Sequence, residues 1–190
     1  MFISKLMAVL ALALTLTLGA SLARADALQD GISAVNRKDY PEAIRLLDPL
    51  ARAGNAQAQL YIGQLHYHGH GVRESDAQAR QWFERAARQG LAQAQFQLGN
   101  MYAYGLADLP DDADTYRLAA QWYFEAARQG LAEAQYSLGI LFLTGSGVQQ
   151  SQEEAIKWIR RAADQGHADA KAYLFGGDSP PASLPAAGKP

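Results

Sequence analysis

Two helical patterns of apolar and small residues alternate along the chain. Between residues 56 and 68, apolar Leu60, Ile62 and Leu65 lie among alanine and glycine. Further on, such residues recur at the 3, 4, 7 and 8 spacing of an amphipathic helix: Ala79, Trp82, Phe83, Ala86 and Ala87. Positions three and four residues apart share one face of a helix, so the pattern predicts two helices joined by a short turn.

Both patterns recur downstream in register. Successive segments of 36, 40 and 36 residues are delimited by Gly54, Gly90, Gly130 and Gly166. Spacings of 40 and 36 residues also relate Trp82, Trp122 and Trp158. One insertion of four residues, between Gly105 and Trp122, accounts for the longer segment. A helix pair of this kind cannot bury its apolar face alone, so the units are expected to stack into an all-α solenoid of antiparallel helix pairs.

The register predicts the domain organisation. Three repeats cover residues 55–90, 91–130 and 131–166, and the insertion falls in the second. Partial units at 26–54 and 167–175 are expected to cap the two ends of the stack. Residues 176–190 are rich in proline, alanine and glycine, a composition that favours a disordered tail.

A glycine recurs inside the first helix of each repeat, at Gly63, Gly99 and Gly139. Glycine in a helix interior costs about 1 kcal/mol relative to alanine. Its recurrence at one position predicts a neighbouring helix packed too close for any side chain. The tryptophans, each in the second helix beside paired alanines, are expected in the core rather than in a row that stacks on sugars.

The helix ends carry recognisable signals. Gly69 and Gly145 follow first helices, where glycine permits a positive φ, and Gly90 is expected to end a second helix. The second helices are expected to begin at capping boxes, in which a hydroxyl residue precedes a glutamine or glutamate by three positions. The hydroxyl residues are Ser75, Thr115 and Ser151.

The N-terminus carries an export signal. Lys5 precedes an apolar run over residues 6–18, and Ala23-Arg24-Ala25 matches a cleavage site, so residues 1–25 are expected to be a signal peptide. An uncleaved anchor is the alternative. Cleavage predicts a mature chain that begins at Asp26, in the periplasm or secreted, without stable membrane insertion.

Composition excludes several functions. The formal net charge is -2, and no basic surface is expected that would attract nucleic acid. The chain has no cysteine, so its core must be stable without disulfides, and no lipid can be attached through an N-terminal cysteine.

The combined motif A-x-A-Q-x-x-L-G-x-x-Y-x-x-G-x-G-V, followed by W and A-A-x-Q-G, resembles the Sel1-like repeat over about residues 40–175. The resemblance implies a right-handed α-solenoid akin to tetratricopeptide arrays. It also implies an adaptor in multiprotein assemblies. Bacterial relatives act in the envelope, in secretion and in host interaction.

This chain departs from the family pattern in two respects. The second repeat has Ala107 in place of the second turn glycine. Cysteine-rich members, some of them linked to β-lactams, use disulfides that this chain cannot form. Neither Ser-x-x-Lys nor Lys-Thr-Gly occurs after residue 25, so that link is not expected to transfer.

Positions that vary between the repeats are free to serve a partner. In each first helix the varied positions follow a spacing of 4, 3 and 4 residues, which places them on one face. We expect this face, concave in tetratricopeptide-like arrays, to bind a protein or peptide. The predicted contact residues are Gln57, Tyr61, Gln64, His68, Gln97, Asn100, Tyr104, Ser137, Ile140 and Thr144, with Gln93 and Glu133 as their remaining counterparts.

Other candidate sites are weaker. His66, His68 and His70 suggest Zn²⁺, but a spacing of two does not place them on one helix face, and His66 aligns with aromatic packing positions. The acidic loop around Asp111 could suggest Ca²⁺, but it lacks the glycine and the terminal glutamate of an EF-hand and better suits the start of a helix.

The sequence therefore favours a non-enzymatic scaffold of the bacterial cell envelope that needs no cofactor and no metal. No nucleophile–base arrangement and no phosphate loop stands out. A cell-wall enzyme acting on peptidoglycan or related to β-lactams, or a glycan-binding protein, is the alternative. The identity of the partner and the oligomeric state stay open.

Overall fold

The computed structural model describes residues 24–106 and 114–176. Within these ranges every regular element is an α-helix, as predicted. A first helix, α1, covers 24–36. The others are α2 (Tyr40–Arg52), α3 (Ala56–His68), α4 (Asp76–Arg88), α5 (Ala92–Ala103), α6 (Thr115–Arg128), α7 (Ala132–Thr144), α8 (Gln152–Asp164) and α9 (Ala168–Phe175). None of these helices is long and apolar enough to cross a bilayer.

Several sequence predictions fall elsewhere in the chain. Three segments lie outside the described residues: positions 1–23 of the predicted signal peptide, the loop at 107–113 and the tail from residue 177.

The helices stack in chain order. From α2 to α9, each helix packs against the next, most closely within the pairs α3–α4, α5–α6 and α7–α8. The largest hydrophobic cluster draws residues from all these pairs, including Leu60, Leu98 and Leu138 of the first helices. The predicted α-solenoid of helix pairs is confirmed.

The recurring helix glycines allow the close packing that the sequence predicted. A Cβ placed on Gly63 would lie 2.6 Å from the Phe83 ring, and one on Gly99 would lie 2.6 Å from the Tyr123 ring. At Gly139 the distance to Ile159 Cγ1 would be 2.5 Å. Each first helix thus brings its backbone against one large side chain of the second helix in the pair.

The predicted caps are confirmed in the first and third repeats and corrected in the second. Ser75 and Ser151 are N-caps, each accepting a hydrogen bond from the backbone N–H three residues later. In the second repeat the N-cap is Asp114, which accepts from Arg117 N at 2.9 Å. Thr115 is instead the first residue of α6, because the preceding carboxylate takes the cap position.

The reciprocal half of the capping box does not form at these serines. The backbone N–H of Ser75 donates to His66 O at 2.9 Å, and that of Ser151 donates to Phe142 O at the same distance. These bonds join the start of each second helix to the last turn of the first.

The turn glycines have the predicted backbone. Gly69 and Gly145 cap α3 and α7 with φ of 67° and 72°. Gly90, with φ of 87°, directly follows the C-cap residue Gln89. There Gly90 N donates to Ala87 O and Leu91 N donates to Ala86 O, the pair of bonds that defines a Schellman motif.

A ladder of buried glutamines crosses the stack. Gln95 Nε2 of α5 donates to Ala87 O of α4 at 3.2 Å, while its Oε1 accepts from Gln129 Nε2 at 2.7 Å. Equivalent bonds recur one repeat earlier through Gln59 and Gln89, and one repeat later through Gln135 and Gln165. The bonds to Ala51 O, Ala87 O and Ala127 O are buried and join each unit to the next, whereas the bonds between glutamines are half-buried and lie within one pair.

The three tryptophans differ in burial. Trp158 is 6% exposed and belongs to the main core, as predicted. Trp82 and Trp122 are half-buried and pack on the edges of two core clusters, so the prediction holds for them only in part.

Replacing Gly99 with alanine tests the close approach of α5 and α6. Helix propensity alone would stabilise the variant by about 1 kcal/mol. We expect instead a loss of about 1–3 kcal/mol in the free energy of unfolding, because the Tyr123 ring must move. Urea unfolding measures the difference, with Gln81→Ala on the exposed face of α4 as control. A more stable Gly99→Ala protein would contradict the packing.

The glutamine ladder has a test of its own. Gln95→Met keeps the side chain's length and removes its bonds to Ala87 O and Gln129 Nε2. Since buried polar groups then lose partners, unfolding should become easier by about 1–3 kcal/mol. Gln121→Met, at an exposed position of α6, should change stability little. Equal effects of the two substitutions in urea would show that the ladder contributes nothing.

Candidate functional site

The predicted contact residues of α3 and α5 lie on one half-exposed face. Gln57, Tyr61, Gln64 and His68 of α3 are all half-buried. The equivalent positions of α5 and its C-cap are also half-buried and comprise Gln93, Gln97, Asn100 and Tyr104. We call these eight residues the stripe. Their spacing places them together, and their role in binding stays a prediction.

The face does not continue onto α7 as the sequence analysis expected. Ser137 and Ile140 are 8% and 1% exposed, so they are not available to a partner. Ile140 is apolar where the stripe has Gln64 and Asn100, and it joins a separate hydrophobic cluster. That cluster includes Ala170 of α9, with Tyr173 and Leu174 packed against it, so the last helix helps to close the face.

Thr144 stays exposed at the end of α7, but its hydroxyl has local partners. Oγ1 lies 3.1 Å from Ile140 O, 3.3 Å from Leu141 O and 2.8 Å from Ser146 Oγ. Glu133 is exposed at the other end of the helix. The continuous part of the predicted surface is therefore the stripe on α3 and α5.

A hydrogen-bond relay organises the centre of α5. Tyr123 OH donates to Asn100 Oδ1 at 2.8 Å, and Asn100 Nδ2 lies 3.4 Å from Gln97 Oε1. The tyrosine is fully buried, and this burial raises the pKa of its hydroxyl well above its usual value. The hydroxyl therefore stays protonated, and a buried side chain of α6 orients Asn100, which lies beside Gln97.

Tyr123 was not among the residues predicted from the sequence to form the site. Its position holds Phe83 in the first repeat and Ile159 in the third, so it varies like the stripe positions do. This variation can be read from the sequence. Because the position lies among core residues, however, nothing in the sequence indicates that its hydroxyl bonds to a residue of the stripe.

Aromatic rings cluster where α3 ends. The His70 ring stacks on Tyr40 with centroids 4.5 Å apart, and His68 lies 5.3 Å from His70. Burial, and next the neighbouring Tyr67 of α3, raise the pKa of Tyr104. The His68 ring of the stripe therefore belongs to an aromatic cluster that extends to Tyr40 of α2.

Histidine and carboxylate groups do not assemble a metal site in the ranges described. No group of three or more histidine, cysteine, aspartate or glutamate side chains there could hold an ion. An open cavity of about 430 Å³ does lie at the turn between α3 and α4, lined by His66, Arg73, Glu74, Ser75 and Gln78. His66 Nδ1 is buried there without a hydrogen-bond partner, where the other repeats have Tyr102 and Phe142.

Comparison with protein families gives a consistent picture. The model of the Sel1 repeat matches residues 20–55, 56–91, 92–131 and 132–167. The first match includes the segment interpreted from sequence as an N-terminal cap. In the structure that segment forms α1 and α2, and a Cβ on Gly31 would lie 2.6 Å from the Leu47 side chain.

Two solved structures share the fold. A Sel1 repeat protein from Oxalobacter formigenes is 36% identical with a TM-score of 0.70, over 77% of this chain and 58% of that one. The second is the protein c5321, a protective antigen present in uropathogenic Escherichia coli strains and displaying an SLR fold. It is 37% identical with a TM-score of 0.63, over 70% of this chain and 29% of that one. The chain thus spans less than two thirds of either. No curated protein matches significantly.

Proposed function

Because the chain belongs to the Sel1 repeat family, whose members are generally non-enzymatic scaffolds for protein–protein interaction, we propose that it binds an extended segment of a protein partner along the stripe. Its own contribution is to hold that segment in place.

The chemistry of the stripe supports this proposal. The segments that form α3 and α5, AQAQLYIGQLHYH and AQAQFQLGNMYA, contain no lysine, arginine, aspartate or glutamate. The stripe offers two tyrosines, which give apolar area at low entropic cost, and amide side chains that can both donate and accept hydrogen bonds. This combination suits a partner's main chain better than a charged ligand.

We further propose that the scaffold acts in the bacterial cell envelope. The support is the pattern of the first 25 residues: a lysine, an apolar run and an Ala-x-Ala motif. The absence of cysteine is compatible with an oxidising compartment, since no stray thiol is present there.

The stripe can be tested by changing three of its residues. Tyr61→Ala, Gln97→Ala and Tyr104→Ala together should lower recovery of crosslinked envelope proteins about tenfold or more, because tyrosine is enriched among the few contact residues whose truncation costs about 2 kcal/mol or more. The measurement is crosslinking in the native envelope followed by mass spectrometry. The matched control changes Gln81, Gln121 and Gln152, all exposed on second helices, to alanine. Unchanged recovery with an intact helical spectrum would exclude the stripe.

The same preparations separate a scaffold from the glycan-binding alternative. Purified peptidoglycan should not sediment the protein above the level of an unrelated control. Sedimentation that the triple substitution abolishes would instead assign a glycan to this face.

Export makes a separate prediction. Expressed with its full N-terminus in a bacterium, the chain should appear in the periplasmic fraction with Asp26 as its first residue. Intact mass measurement reports the cleavage site to the residue. Replacing Ala23 and Ala25 with bulky residues should block processing, whereas an unprocessed wild-type chain would favour the membrane anchor.

A further inference from the structure

The second repeat carries a buried hydroxyl that packing does not require. The Tyr123 ring packs on Gly99 just as the Phe83 ring packs on Gly63. In both pairs a Cβ added to the glycine would lie 2.6 Å from the nearest ring atom. Ile159 does the same at Gly139. Since phenylalanine and isoleucine fill this position without a hydroxyl, the packing of the helix pair does not require the oxygen of Tyr123.

That oxygen reaches the binding face. It donates to Asn100 Oδ1 at 2.8 Å, and the asparagine is unique among its counterparts, which are Gln64 and Ile140. The tyrosine and the asparagine therefore occur together in one repeat only. With Oδ1 bonded to the buried hydroxyl, the carboxamide is fixed and its Nδ2 lies beside Gln97 on the half-exposed side.

We propose that Tyr123 is a positioning residue that presents Asn100 Nδ2 as a fixed donor, and that this donor binds a main-chain carbonyl of the partner segment. The inference rests on the proposed function and identifies the specificity-determining contact within it.

The surroundings favour a neutral carbonyl over a carboxylate. Neither α3 nor α5 has a lysine or arginine that could compensate a bound carboxylate, and an uncompensated charge on a half-buried face is costly. Gln97 Oε1 lies within 3.4 Å of Asn100 Nδ2, so it can accept an N–H from the same segment. A peptide main chain supplies both groups, and a donor held in place loses less entropy on binding.

The test uses the full chain and a random dodecapeptide library displayed on phage. Enriched peptides are synthesised, and their affinities are measured by fluorescence anisotropy. Asn100→Asp keeps an acceptor for Tyr123 but replaces the donor with an oxygen that repels a carbonyl, so binding should weaken about tenfold or more. Tyr123→Phe, the residue found at 83, should weaken binding about threefold to tenfold. Asn36→Asp, the same change at an exposed site, should leave affinity unchanged.

A thioamide scan of the bound peptide distinguishes contact from a structural role. The scan replaces one main-chain carbonyl oxygen of the peptide at a time with sulfur. At one position this change should weaken binding to the wild type but should not weaken binding to Asn100→Asp any further. A loss of stability alone would not produce this non-additivity. If Tyr123→Phe unfolds, Asn100→Asp still decides the matter.

The remaining outcomes separate the two proposals. Wild-type affinity in both variants, while the triple substitution in the stripe abolishes binding, would overturn this inference and leave the proposed function standing. Failure of the full chain to enrich any peptide over the bare support would overturn both.

Discussion

The fold depends on the contact between one helix backbone and one large side chain of its partner helix. Gly63, Gly99 and Gly139 leave no room for a Cβ, and the residues opposite differ in chemistry while making the same contact. Because this approach fixes how each pair closes, it also fixes which face of the first helix points away from the core. The contact that packs each helix pair therefore also determines where the stripe lies.

Two kinds of contact join neighbouring helices, and the residues that make them are replaced in α9. Gly139 and the buried Gln135 of α7 have Phe175 and Lys171 as their counterparts in α9. Phe175 is 79% exposed, and a bulky ring at the glycine position leaves no room for another helix to approach as closely. Lysine lacks the acceptor through which each glutamine continues the ladder. In α9, therefore, neither the glycine contact nor the glutamine ladder can be repeated in the same form.

The solenoid and its glycine contacts could be predicted because identical spacings recur and each recurrence repeats one physical need. Thr115 was predicted one residue away from the true cap because the four-residue insertion disturbs the alignment just before it. Ser137 and Ile140 have the right spacing, but spacing does not reveal which residues a later helix covers, and α9 packs in the cluster that buries Ile140. The glutamines are visible in the motif, yet their partners lie about 30 residues away, beyond any local pattern.

The charged side chains of the repeats lie mostly on the second helices, whereas the stripe on the first helices has no lysine, arginine, aspartate or glutamate. The ion pairs of the second helices, such as Arg88 with Glu84 and Lys157 with Glu154, join neighbouring turns at the surface and contribute little stability each. The stripe has no lysine, arginine, aspartate or glutamate, so a partner bound there as proposed would contact aromatic rings and amides. Under the proposed function, discrimination would depend on the geometry of hydrogen bonds, which is defined only where an amide is held in a fixed orientation. The buried hydroxyl of Tyr123 does that for Asn100.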